Sequence, residues 1–245
     1  MEVIIFLLAL VASFVFALGG IGSAIILVPI MVSLGIPINS AKPIGLFINT
    51  VSMTGASINN IKNKRLDFKI GIPIIISSFI FAVIGAYTSK FIPTKIVIGV
   101  FVLFLVFSGL MFLFHKKKEG ESYRTDTPYV KLTLIGILAG LLSGILGIGG
   151  GGVISPLMLM IGVNPKKITA ITAFVVPFSS LSGFITYWIM GSVNWRLLII
   201  ATTAGLIGAT LGTIFMQKKL NVQTVKMILA IILLLMAVKM IFKLF

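Results

Sequence analysis

The chain has 245 residues, of which 58% are hydrophobic and 10% charged, with a mean hydropathy of +1.20. A soluble domain of this size has no use for so much apolar surface, so the composition specifies a polytopic membrane protein. The net charge of +15 does not point to nucleic acid, because the basic residues fall in short loops where positive charge sets topology, and the lack of cysteine excludes disulfides, iron–sulfur clusters and thiolate metal sites.

Eight apolar segments are predicted, at about 3–34, 37–60, 68–89, 94–114, 130–163, 166–190, 196–216 and 221–244. The chain starts Met1-Glu2-Val3 without a positive n-region, so the first segment is expected to be retained. It contains Gly19-Gly20-Ile21-Gly22-Ser23. The second segment follows Pro37-Ile38-Asn39-Ser40-Ala41-Lys42-Pro43 and puts Gly45, Asn49, Ser52, Ala56 and Asn59 on one helical stripe, in steps of 4, 3, 4 and 3. Pro73, in the third segment, is predicted to kink its helix. The polar stretch from His115 to Pro128 is the longest connection and divides the chain into 1–114, a central basic loop at 115–129, and 130–245. His115, beside Lys116-Lys117-Lys118, reads as a loop residue and not as a ligand.

The fifth segment carries Leu146-Gly147-Ile148-Gly149-Gly150-Gly151-Gly152-Val153-Ile154-Ser155-Pro156. As one straight helix this segment would run roughly 50 Å, against a hydrocarbon core of about 30 Å. Four consecutive glycines also weaken a helix. Two half-helices joined by an unwound segment at membrane depth are therefore predicted, the second beginning near Gly151. Bare backbone at that depth is tolerated only where protein or a water-filled cavity satisfies it. The free N–H groups and positive dipole end of the second half-helix suit an anion; the competing role for the glycines is close helix packing. The sixth segment carries a second stripe of Thr172, Val176, Ser179, Gly183 and Thr186, with Pro177 a second kink, and Tyr187, Trp188 and Trp195 read as an interface belt.

The two halves align without a gap when the sequence slides by 127 positions. Gly20-Ile21-Gly22 falls on Gly147-Ile148-Gly149, and Pro29, Met31 and Gly35 fall on Pro156, Met158 and Gly162. Ile44, Phe47 and Ser52 fall on Ile171, Phe174 and Ser179, while Ala82 and Gly85 fall on Ala209 and Gly212. Such internal repeats are a transporter signature. The first glycine run is then the counterpart of the second, and residues 3–34 should also be two half-helices. If each broken segment crosses once, the copies are parallel and the 20 Lys and Arg divide 12 to 8; if it folds back, the copies are inverted and they divide 14 to 6. The second arrangement obeys the positive-inside rule better and puts both termini outside.

The fold expected is thus all-α and polytopic, with two homologous, inverted halves, each a re-entrant first segment plus three transmembrane helices. The candidate ligand-binding residues are Gly22, Ser23, Lys42, Asn49, Thr50, Ser52, Gly149, Gly150, Gly151, Gly152, Thr172 and Ser179. Asn49 leads them, because a carboxamide in hydrocarbon needs several partners. Packing of small residues is the competing role for the stripes, and snorkelling to the interface is the competing role for Lys42.

All five acids, Glu2, Asp67, Glu119, Glu121 and Asp126, lie in loops or at the extreme terminus. Proton-coupled carriers usually place an acid or histidine within a span. A monovalent anion leaving a cell gains about 2.3 kcal/mol per 100 mV of inside-negative potential, a gradient of roughly fiftyfold, so passive export is physically sufficient. No P-loop, His/Asp/Glu metal cluster or nucleophile–base pair is present, so neither an enzyme nor a cofactor is expected.

Two halves with breaks of the form G-I-G-G-G-x-x-x-x-P resemble the sulfite exporter TauE/SafE family of membrane transporters. Gly147 through Pro156 matches the motif, Gly20-Ile21-Gly22-Ser23 through Pro29 is a degenerate copy, and Ile168-Thr169-Ala170-Ile171-Thr172-Ala173 resembles the small, polar helix start that follows the break. The resemblance implies a multi-pass permease of the cell (inner) membrane that exports sulfite, a sulfonate or a related oxyanion by alternating access. The missing glycines of the first copy imply that the two sides of the site are not equivalent. An anion channel, a Na⁺- or H⁺-coupled carrier of another solute and a non-transporting membrane subunit are the alternatives. The expected partners are a small anion and the lipid bilayer, with no nucleic acid; a homodimer is left open.

Overall fold

The computed structural model describes residues 2–17, 22–114, 123, 126–219 and 222–242. The described residues form α-helix and short connections, without a strand. The helices are α1 (Glu2–Ala17), α2 (Ala24–Ser33), α3 (Ile38–Lys62), α4 (Phe68–Thr88, extended by a 3₁₀ turn at Ser89–Phe91), α5 (Thr94–Phe114), α6 (Tyr129–Leu146), α7 (Gly151–Met160), α8 (Pro165–Ile189), α9 (Trp195–Lys219) and α10 (Val222–Ile241). The spans beginning at Phe68, Thr94, Tyr129, Lys167 and Trp195 are each long and apolar enough to cross a membrane. The large apolar side chains of α4 and α5 that face outward, such as Ile72, Ile76, Ile80, Leu103 and Phe107, have lipid as their natural environment. Most of the central loop, including His115 and Lys116-Lys117-Lys118, lies outside the described residues, as do Gly19, Gly20 and Ile21 of the first glycine run.

The helix bounds recur at the offset that relates the halves. Ala24–Ser33 displaced by 127 positions gives Gly151–Met160, and Ile38–Lys62 gives Pro165–Ile189. Left-handed backbone recurs in the same register: Gly22 with Gly149, Gly35 with Gly162, and Lys64 with Gly191. A close packing contact recurs as well. A Cβ on Gly85 would strike the Leu141 carbonyl, and one on Gly212 would strike that of Phe14.

The halves interleave. α4 packs along α6, α1 along α9, α5 against α10, and α3 against α8. Small residues allow the closest of these approaches. Gly136 meets Ile74 and Ser77, Gly140 meets Ser78, and Gly144 meets Ala82 and Ala86, so α4 and α6 run in parallel. The central pair α3 and α8 is antiparallel: Lys42 lies over the Tyr187 ring, Phe47 meets Phe184 with centroids 4.7 Å apart, Met53 packs with Ala173 and Val176, and Asp67 pairs with Lys167 at 3.2 Å.

Those contacts fix the path of the broken segment. α6 runs toward the Lys42 end of the bundle, where Gly147 packs on the Lys42 backbone. α8 starts at the opposite end, at Lys167 beside Asp67. The ten residues of α7 therefore run back over about 15 Å, and the glycine run turns the chain inside the bundle. Pro73 is the sixth residue of α4, and the helix continues through it.

Candidate functional site

The second glycine run is an unwound turn, as its composition predicts. α6 ends at Leu146, Gly147 is left-handed at φ 77°, Gly149 and Gly150 follow at 76° and 75°, and α7 begins at Gly151. A side chain at Gly149 would be strained in that conformation, and it would also have nowhere to go. A Cβ there would lie 2.6 Å from Ser180 Oγ and closer still to the Asn49 amide.

Asn49 is the residue around which the site closes. It is fully buried, at 0% exposure. Its Oδ1 accepts from the Ala24 N–H at 3.1 Å and its Nδ2 donates to the Ile148 carbonyl at 2.8 Å. One carboxamide thus caps the start of α2 and holds the unwound turn before α7, joining the two breaks. A Cβ on Gly22 would lie 2.6 Å from Asn49 Oδ1, so both breaks approach the same side chain. The expectation that Asn49 needs several buried partners is met, but the partners are backbone groups of the two breaks.

The second half has Val176 where the first has Asn49, and its half-helix is left uncapped. The Gly150 carbonyl accepts from Val153 and Ile154 at 2.9 and 3.0 Å. The amides of Gly151 and Gly152 meet no acceptor among the described residues, as expected of a first helical turn without a side-chain cap. Around this end lie hydroxyls. Ser179 Oγ donates to the Gly149 carbonyl at 3.3 Å or to Val176 at 3.2 Å. Ser180 Oγ is buried, beside Gly149, and has no partner. Ser23 and Ser52 are likewise buried with unpartnered hydroxyls, Ser23 adjoining the first break and Ser52 one turn beyond Asn49. Leaving such groups unsatisfied costs about 1–3 kcal/mol each, which a hydrogen-bonding ligand or water would relieve.

Other sequence candidates have different partners. Thr50 Oγ1 donates to the Leu46 carbonyl of its own helix at 3.0 Å. Thr172 pairs with Ser155 of α7 at 3.3 Å, holding α7 to α8. The Gly152 carbonyl, freed because Pro156 has no N–H, accepts from Ser108 of α5 at 3.2 Å. Gly22, Ser23, Asn49, Gly149, Gly150 and Ser179 do gather around the breaks, with Gly151 and Gly152 opening α7.

Lys42 departs from the snorkelling alternative: it is fully buried, at 0% exposure. Its Nζ donates to Ser89 Oγ, whose hydroxyl reaches the Ile145 carbonyl at 3.4 Å. Tyr187, expected in an interface belt, is 2% exposed and donates to the Gly144 carbonyl at 2.8 Å. Together these groups cover the last carbonyls of α6, where a positive charge is stabilised by the helix dipole. Trp188 and Trp195 do lie at the surface, edge to face with centroids 5.5 Å apart. Ser180, Ser89 and Ser108 were not legible as site residues, because periodicity along α8, the end of α4 or α5 says nothing about which hydroxyls face a turn on another helix.

Comparison with known proteins gives the chain's relatives. A sequence model described as "Sulfite exporter TauE/SafE" matches residues 5–240. The chain is 27% identical over 267 residues to "Probable membrane transporter protein YunE" of Bacillus subtilis, covering 98% of this chain and 97% of the relative. It is 30% identical over 180 residues to a protein of Methanocaldococcus jannaschii with a matching description as a membrane transporter, covering 70% and 66% of the two chains. A third relative, "Sulfite exporter TauE/SafE family protein 6" of Arabidopsis thaliana, is 38% identical over 100 residues, covering 40% of this chain and 23% of the plant protein.

Proposed function

The chain belongs to the sulfite exporter TauE/SafE family, a multi-pass membrane transporter family, and from that premise we propose that it is a secondary transporter exporting a small oxyanion such as sulfite or a sulfonate. The observation that carries the reading is the uncapped start of α7, where the free Gly151 and Gly152 amides follow a turn, Gly149–Gly150, packed against the buried hydroxyls of Ser179 and Ser180. Helix N-terminal amides and hydroxyls are donors, and a tetrahedral or pyramidal oxyanion is an acceptor on every oxygen.

Alternating access is the proposed mechanism, with the two halves as inverted repeats that rock about the site. The antiparallel packing of α3 on α8, which occupy equivalent places in the two copies, supports the inversion. Asn49 sits on the line between the copies and bonds to a break in each. A relative movement of the copies would alter those bonds and open the Gly149–Gly151 turn. Among the described residues no carboxylate lies within a span, so potential-driven export fits the site.

The test is sulfite flux from proteoliposomes under an imposed potential. Flux that rises with an inside-negative potential and falls about tenfold in Val176→Asn is the expected result. Flux equal to that of empty vesicles would overturn the reading, and single-channel currents far above carrier turnover would replace the carrier with a channel.

A further inference from the structure

We propose that the Lys42 end of the bundle holds a second anion site, a vestibule on the path between the glycine turn and the face at which α3 begins. This rests on the transporter reading for its purpose but on separate residues for its existence. A cavity of about 240 Å³ opens there, lined by Asn39, Ser89, Lys90, Tyr187, Met190 and Ser192. Asn39 and Lys90 are exposed and form a rim, while Ser89 and Tyr187 are buried and form the floor.

The charge arrangement says what the cavity takes. Behind the floor, Lys42 Nζ donates to Ser89 Oγ. Among the described residues this buried ammonium meets no carboxylate, and the acid–base pair of the molecule that is described, Asp67 with Lys167, lies at the other end of α3. The carbonyl end of α6 offsets only part of a unit charge, so the vestibule keeps a positive potential. Lys90 adds a second charge at the rim. A low-dielectric floor under two cations concentrates anions and repels cations.

Size and donors narrow the class. The volume is below the roughly 300–1,000 Å³ of drug-sized pockets. Asn39, Ser89, Ser192 and Lys90 bring donors, and Met190 and the Tyr187 ring bring apolar wall. The fit is a small organic anion with a sulfonate or carboxylate head and a short apolar tail, as well as a bare oxyanion. The Ser89 hydroxyl links cavity and Lys42, so an anion on the floor accepts from Ser89 and draws the ammonium toward itself and away from the α6 end. That contact is continuous with Gly147, which packs on Lys42 one residue beyond α6.

The experiment measures binding and flux of sulfite and ethanesulfonate with the full-length protein, using wild type, Lys90→Gln and Ser192→Leu. Both substitutions sit on the rim or wall and leave the glycine turn untouched. The expected result is a three- to tenfold rise in KM for anion presented from the vestibule side only, with the saturating rate held within twofold, and a larger effect of Ser192→Leu on ethanesulfonate than on sulfite. Lys42→Arg should keep vestibule binding and Lys42→Met should lose it. An unchanged KM in both Lys90→Gln and Ser192→Leu would overturn the vestibule while leaving the carrier intact. Wild-type binding that Lys90→Gln weakens, without any flux, would support the vestibule and overturn the carrier.

Discussion

The two breaks come from equivalent stretches of the repeat but end differently. At the first, the Asn49 side chain accepts from the Ala24 N–H, so the start of α2 is capped from within the protein. At the second, Val176 stands in the equivalent position, and the Gly151 and Gly152 amides are left free at the start of α7. The same backbone device thus serves once as a closed joint and once as an open donor set. A single side chain decides which, because Asn49 also reaches across to the Ile148 carbonyl and spends both ends of its carboxamide on the two breaks.

The largest effect is expected at the turn itself. Gly149→Val puts a β-branched residue at φ 76° against Asn49 and Ser180. Backbone strain and overpacking together should cost about 4 kcal/mol. Little folded protein should survive extraction, as judged by size-exclusion chromatography and thermal unfolding. A Gly149→Val variant with wild-type melting would mean that the turn is not packed as described.

Asn49→Ala should rank next. It orphans a buried N–H and a buried carbonyl, at about 1–3 kcal/mol each, and should lower the midpoint of thermal unfolding clearly. Asn49→Asp retains the acceptor for Ala24 but turns a buried carboxylate oxygen on the Ile148 carbonyl, so its loss should fall on the second break alone. A smaller effect for Asn49→Ala than for Thr50→Ala, whose hydroxyl bonds only within α3, would show that the strap between the breaks carries no weight.

Val176→Asn gives the second break the cap of the first. It should leave stability within about 1 kcal/mol, since an N-cap contributes about that much and a buried apolar contact is lost. It should cut oxyanion flux about tenfold, by occupying the amides proposed to bind substrate. Unchanged flux would place the substrate elsewhere. Ser179→Ala removes one hydroxyl contact to Gly149 and should cost about 1 kcal/mol, with a modest rise in KM for sulfite. The smallest effect belongs to the Asp67–Lys167 pair, whose side chains are 32% and 52% exposed. Lys167→Gln should change stability by less than about 1 kcal/mol, and less still at high salt.

Much of this architecture is legible in the amino-acid sequence. The eight apolar segments, the half-helix beginning at Gly151 and the recurrence of Gly22 at Gly149 follow from hydropathy and from an ungapped internal match. These are local properties: a glycine run cannot hold a helix, and a segment too long for the bilayer must break. Asn49 was legible as a buried group in need of partners, because a carboxamide among apolar neighbours has no other way to be tolerated. Its partners were not. The Ala24 amide and the Ile148 carbonyl lie 25 and 99 residues away, and no periodicity encodes that meeting.

Lys42 shows the same boundary from the other side. Position near a helix start fits a lysine that reaches the interface as well as one that stays buried, since its stem is long enough for either. Only the arrival of Ser89, Tyr187 and the end of α6 from three other helices supplies polar partners in the interior. Membrane residence, matched sets of helices and the places where the backbone breaks are written along the chain, because each of these depends on neighbours in sequence. The tertiary structure decided which break is capped and which is open, because that depends on side chains brought in from distant helices whose approach is governed by packing.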